Sequence, residues 1–208
     1  MKTVLAFGDS NTWGLIPGTN RRYSFSERWT GLVQQKGKNL RIIEEGLCGR
    51  TTVFEDRRRK NRKGIDLLPT LIEAQSPLDG VIIMLGTNDC KAYFEPTPEK
   101  IGEGISRCLD ELQKFLPPKK ILLVSPISLG EDVWLPEKDP EFDKNSVEVS
   151  RKLKEVYSDI ARKRGIEFLA ASDYALPSEI DCEHLSPDSH KALSEVILKK
   201  LKSMGLTA

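Results

Sequence analysis

Five short, almost wholly apolar runs recur along the chain: Thr3–Phe7, Leu40–Glu44, Gly80–Leu85, Lys120–Val124 and Ile166–Leu169. Runs this short and this apolar suit strands buried on both faces, and between them lie segments with helical spacing. Ser26 to Gln35 is one such segment. A longer helix is predicted from Thr97 as N-cap with Pro98 in the first turn, carrying Ile101, Ile105, Cys108, Leu109 and Leu112 on one face. Val149 to Arg164 places Leu153, Val156, Tyr157 and Ile160 at helical spacing and stops at Gly165, and a last helix starts at Ser186-Pro187. Strands alternating with helices imply a three-layer α/β/α sandwich around a five-stranded parallel sheet, flavodoxin-like in plan, as one domain over residues 1–208.

In such a sheet, ligands bind beyond the carboxyl ends of the strands, so chemistry is expected in the loops after Phe7, Glu44, Leu85, Val124 and Leu169. The first of these loops reads Gly8-Asp9-Ser10-Asn11-Thr12-Trp13-Gly14 and delivers a serine straight from a strand into a turn. A serine hydroxyl is a weak nucleophile at neutral pH and needs a base within hydrogen-bond reach and a group that orients the base. The chain has two histidines. His184 follows Asp181 by three residues, a spacing that lets one turn place the carboxylate on one ring nitrogen while the other faces Ser10. His190 falls inside the last helix and reads as a surface residue. Acyl transfer also needs donors for a developing oxyanion. The loop Glu44 to Arg50 offers glycine N–H groups, and Gly86-Thr87-Asn88-Asp89 offers an asparagine amide.

The blocks around Ser10, Asn88 and Asp181-Cys182-Glu183-His184, with the glycine-bearing loop Glu44 to Arg50 between them, resemble in type and order those of the SGNH (GDSL-type) hydrolases. The resemblance spans nearly the whole chain. It implies Ser10 as nucleophile, His184 as base, Asp181 as its orienting partner, and an oxyanion hole of the Ser10 N–H, the Gly49 N–H and the Asn88 side chain. Glu44-Glu45-Gly46-Leu47, Arg50-Thr51-Thr52 and Val81 to Phe94 look like the aryl-esterase and acyltransferase branch, which acts on short acyl esters and includes oligomers. The expected activity is thus a serine esterase that hydrolyses or transfers short acyl groups through an acyl-enzyme on Ser10. A carbohydrate O-acetyl esterase, or a lysophospholipase- or thioesterase-like hydrolase with the same triad, is the alternative. Two features depart from the family pattern: Glu44 stands where the family has Asn, and Asp56 to Lys63 is unusually basic.

Other residues near these loops have plainer readings. Asp9 is expected to hold its loop by accepting backbone N–H groups, and Asp89 to be structural. Asn11, Trp13, Tyr93, Phe94 and Trp134 are expected to contact substrate, the aromatics lining an apolar slot. Residues 126–145 form a connection long enough to be a lid or an arm reaching a neighbouring subunit. The run Arg57 to Lys63 reads first as a solvated loop or subunit contact, with attraction of an anionic substrate, lipid head group or nucleic acid as the functional counterpart.

Composition excludes several other classes. Thirty-two Lys plus Arg balance 31 Asp plus Glu, leaving a net charge of +1, so no global field favours nucleic acid or a membrane surface. The apolar start is too short for a secretory signal, and a cytoplasmic homo-oligomer acting on a small ester is expected. Cys48, Cys90, Cys108 and Cys182 are spread out and read as reduced thiols, with no zinc pattern and no cofactor implied. A binding module of the same architecture is disfavoured, because the first loop lacks a glycine-rich phosphate cradle.

Overall fold

A computed structural model describes all 208 residues. Strands β1 (Lys2–Gly8), β2 (Leu40–Gly46), β3 (Gly80–Met84), β4 (Ile121–Ser125) and β5 (Glu167–Ala170) form one sheet in the order β2-β1-β3-β4-β5. Every pairing is parallel. Because side chains alternate across a strand, each central strand feeds two cores at once. Val4 and Ala6 of β1, Ile82 and Met84 of β3, and Leu122 and Val124 of β4 point to the face covered by α2 (Trp29–Lys36) and α6 (Pro187–Ser203). Their neighbours Leu5, Phe7, Val81, Ile83, Ile121 and Leu123 point to the face covered by α3 (Gly64–Gln75), α4 (Pro98–Gln113) and α5 (Lys144–Arg164). Both faces are therefore dry, which is why these strands contain so few polar positions. No helix is long and apolar enough to cross a membrane.

Strand order reverses at β1, whose neighbours β2 and β3 leave it in opposite directions, and the crevice at such a reversal is where open α/β sheets bind ligands. A four-residue helix, α1 (Ser10–Trp13), opens directly above it.

Three local readings change. Helix α3 is absent from the sequence reading because Pro69 interrupts its interior and the basic run hides its start. Helix α5 begins five residues before the expected Val149, at Lys144. There Asp143 Oδ1 accepts the Ser146 N–H at 2.7 Å and Ser146 Oγ accepts the Asp143 N–H at 3.0 Å, a reciprocal cap. The segment 126–145 is not a free lid: Ile127, Leu129, Val133 and Phe142 are buried, and the Gly130 N–H donates to Cys182 O at 2.8 Å.

His190 is likewise not a surface residue. It is wholly buried between α2 and α6, where its Nδ1 accepts the Trp29 N–H at 3.2 Å and its ring meets Tyr23 edge-on. Burial pushes its pKa down to about 3, so it stays neutral and serves as a packing element. Helical periodicity alone does not reveal it, because the buried stripe of α6 is wider than its aliphatic residues. The four cysteines are free.

Candidate active site

Ser10 is the first residue of α1, and Asp9 is its N-cap, its Oδ1 accepting the Asn11 N–H at 3.0 Å. Gly14 ends the helix in the left-handed region at φ 88°. Such a turn holds the hydroxyl at the strand end while Asp9 turns inward. Asp9 is wholly buried, and burial, only partly opposed by its backbone hydrogen bond and the His184 charge, raises its pKa to about 6.

The loop that carries His184 arrives from the other end of the chain. Asp181 Oδ1 accepts the N–H groups of Glu183 (3.1 Å) and His184 (3.0 Å), closing a one-turn bend with Cys182 at φ 59°. The bend leaves Asp181 Oδ2 2.9 Å from His184 Nδ1, and the Gly18 N–H donates to the same oxygen at 3.1 Å. On its far side, His184 Nε2 lies 2.9 Å from Ser10 Oγ. Hydroxyl, imidazole and carboxylate thus form a continuous chain of hydrogen bonds. Burial would raise the Asp181 carboxyl, but the hydrogen bond and charge of His184 and the backbone donors outweigh it and hold the carboxyl at about 2. Burial would likewise lower the imidazole; the Glu183 and Asp181 carboxylates reverse that and lift it to about 9.

Asn11, expected to touch substrate, instead locks the two loops together. Its Nδ2 donates to Glu183 O at 3.2 Å and its Oδ1 accepts the Leu185 N–H at 2.9 Å, with the side chain buried. Ser10 and His184 are separated by 174 positions, and this clamp sets their spacing.

Asn88 opens a 3₁₀ turn after β3, buried, with its Nδ2 donating to Arg50 O at 3.2 Å. One of its two amide hydrogens remains for the cavity. Gly86 precedes it at φ 131° because the Tyr157 hydroxyl, bonded to Leu85 O at 2.9 Å, lies where a Cβ would stand. Gly49 lines the same cavity at φ 82°. Its loop is held by the buried Arg50, which donates to Gly8 O at 2.8 Å and to Glu45 O and lies 4.2 Å over Phe7. Asp89 is structural, as its position suggests: it accepts the N–H and hydroxyl of Thr52, fixing the second loop against the third. Glu44, the departure from the family pattern, pairs with Arg28 at 2.6 Å through both oxygens and also accepts from Thr30.

These groups open onto a cavity of about 550 Å³. Trp13, Leu15 and Cys48 are its apolar residues, and most of the others are polar or charged. Tyr93, Phe94 and Trp134 lie outside it, which corrects the expected aromatic slot. Phe94 packs against Phe54 and Tyr93, Arg58 covers Tyr93, and Trp134 bonds through Nε1 to Glu131 O beside Lys144 in a separate depression. All three leave the correct end of the sheet, but their side chains do not line the cavity. Residues not assigned to the site from the sequence also line the cavity: Glu183, Arg59, Arg62, Lys138 and Asp139. The signal for Arg59 and Arg62 was the basic run itself; for Glu183, its place between Cys182 and His184. No cluster of His, Cys, Asp or Glu is arranged to hold a metal ion.

Known proteins resemble the chain over nearly its full length. The model of the GDSL-like lipase/acylhydrolase family matches residues 6–192. One solved structure is 39% identical with a TM-score of 0.90, covering 98% of both chains. A carbohydrate acetylesterase from Sinorhizobium meliloti is 34% identical (TM-score 0.88, 98% of this chain and 100% of that one). An aryl esterase of M. smegmatis is 32% identical (TM-score 0.88, 98% and 100%). Among curated proteins compared by sequence, none matches. With a parallel five-stranded sheet, a serine leaving its first strand and a family match over nearly the full length, the chain belongs to the GDSL-like (SGNH) hydrolases and is a carboxylic ester hydrolase.

Proposed function

We propose that the chain cleaves short acyl esters through an acyl-enzyme on Ser10. His184 Nε2 takes the hydroxyl proton as Ser10 Oγ bonds to the ester carbonyl carbon, and Asp181 holds the ring in the tautomer that leaves Nε2 free to accept. The carbonyl oxygen becomes an oxyanion facing the N–H groups of Ser10 and Gly49 and the free amide hydrogen of Asn88. Collapse breaks the bond to the leaving oxygen, which His184 protonates. Water, activated by the same imidazole, then releases the acid and restores Ser10. The single observation that carries this reading is the pair of 2.9 Å contacts linking Ser10, His184 and Asp181 at the cavity floor.

A short acyl group is favoured because the cavity offers Trp13 and Leu15 and no long apolar groove, and the named neighbours are an acetylesterase and an aryl esterase. Hydrolysis of 4-nitrophenyl acetate by wild type and Ser10→Ala tests it. A burst of 4-nitrophenol in the wild type and its loss in the variant are expected; equal rates would remove Ser10 from the mechanism. Added ethanol separates transfer from hydrolysis by diverting the acetyl group to ethyl acetate. The homo-oligomer implied by the family resemblance is checked by light scattering.

A further inference from the structure

Three cations stand around the cavity with incomplete compensation. Arg62 is held from behind, its Nε donating to Cys48 O at 2.8 Å and its Nη1 to Lys60 O at 3.0 Å, and no carboxylate lies within ion-pair distance of it. Arg59 reaches only Glu141, at 3.6 Å, and that carboxylate is already shared by Lys91 at 2.6 Å and Arg58 at 3.0 Å. Lys138 Nζ touches the Cys182 thiol at 2.8 Å and no carboxylate. Both guanidinium groups crowd Gly49: a Cβ there would lie 3.3 Å from Arg59 Nη1 and 3.6 Å from Arg62 Nε.

The acids of the same cavity form no ion pair with these cations. Asp181 is engaged by four N–H groups, Glu183 is buried beside the imidazole, and Asp139 Oδ1 takes the Glu141 N–H at 2.9 Å. Arg62 meanwhile keeps Nη2 uncommitted on a guanidinium whose orientation is already set, so little conformational entropy is lost when it meets an oxyacid.

We propose that Arg59 and Arg62, with Lys138 on the rim, form an anion subsite, and that the preferred ester carries a carboxylate or phosphate close to the scissile bond. The assignment deepens the esterase reading and rests on it for turnover, though not for binding. A surface loop that merely solvated its charges would not pack two guanidiniums against Gly49 at the cavity wall.

Two charge-only substrate pairs test it: 4-acetoxybenzoate against 4-acetoxybenzamide, with the charge on the leaving alcohol, and mono-4-nitrophenyl adipate against its terminal amide, with the charge on the acyl chain. At least a tenfold preference in kcat/KM for the anionic member of one pair is expected, and the responding pair shows which side of the ester faces the subsite. The preference should collapse in Arg62→Gln and shrink with added salt. Because Arg62 also ties its loop to Cys48 and Lys60, Arg59→Gln provides a second variant whose lost contact is a single long ion pair. Calorimetric titration of 4-acetoxybenzoate into Ser10→Ala separates the two readings. Binding there without turnover by the wild type removes the esterase mechanism and leaves the subsite standing. Equal kcat/KM within both pairs, or a preference unchanged in both arginine variants, overturns the subsite.

Discussion

Glu183 gives the sharpest handle on the electrostatics of the site. Its Oε2 lies 3.7 Å from His184 Nδ1, both side chains are buried, and it is the largest influence raising the imidazole. At an effective dielectric of about 20, a unit charge at that distance is worth about 4 kcal/mol, or roughly three pH units. Burial of the ring works against this, and the net result is a pKa of about 9 in place of 6.5. A general base works only when deprotonated, so kcat/KM should rise with pH along a limb controlled by His184. Burial raises the Glu183 carboxyl to about 6, so it is ionised wherever His184 titrates. Glu183→Gln keeps the shape and removes the charge. The limb should then move down by about one to two pH units, after relaxation screens part of the full Coulomb value, and activity at pH 7 should rise. Phenyl acetate between pH 5.5 and 10 is a suitable substrate, since its spontaneous hydrolysis is slow. A second readout is stability. A carboxyl whose folded pKa lies above its unfolded value destabilises the fold once ionised, so stability falls as pH climbs from 4.5 to about 6. The variant should lose that dependence between pH 4.5 and 6. A limb that stays in place or moves upward would refute the reasoning.

Two further substitutions probe the scaffold of the site. Asn88→Ala removes the one side-chain donor of the proposed oxyanion hole and should lower kcat by about two to three orders of magnitude with little change in KM, read by steady-state kinetics. Gly86→Ala would force a Cβ to 2.7 Å from the Tyr157 hydroxyl at a φ of 131°, so a loss of about 1–3 kcal/mol in urea unfolding is expected, with Asn88 displaced and kcat reduced as well.

Local patterns carried much of the architecture. The β1, β3 and β4 runs are apolar on both faces, and only a covered parallel sheet removes both faces from water. Thr97-Pro98 announced α4 because its cap is made by neighbouring residues, Thr97 accepting the Lys100 N–H. Helix α3 carries no such signal: Lys63 stands at its N-cap without a side-chain capping bond, and Pro69 lies inside the helix.

By itself the sequence determined the layered fold and placed Ser10, Asn88 and the Asp181–His184 bend at strand ends, since periodicity and short-range turn chemistry are written in adjacent residues. Tertiary structure alone decided which side chains share the cavity. It turned Tyr93, Phe94 and Trp134 away, converted Asn11 into the clamp between two loops, sank His190 into a helix interface and brought Arg59 and Arg62 against Gly49. Those outcomes depend on where loops remote in sequence pack against one another, and no local spacing encodes that.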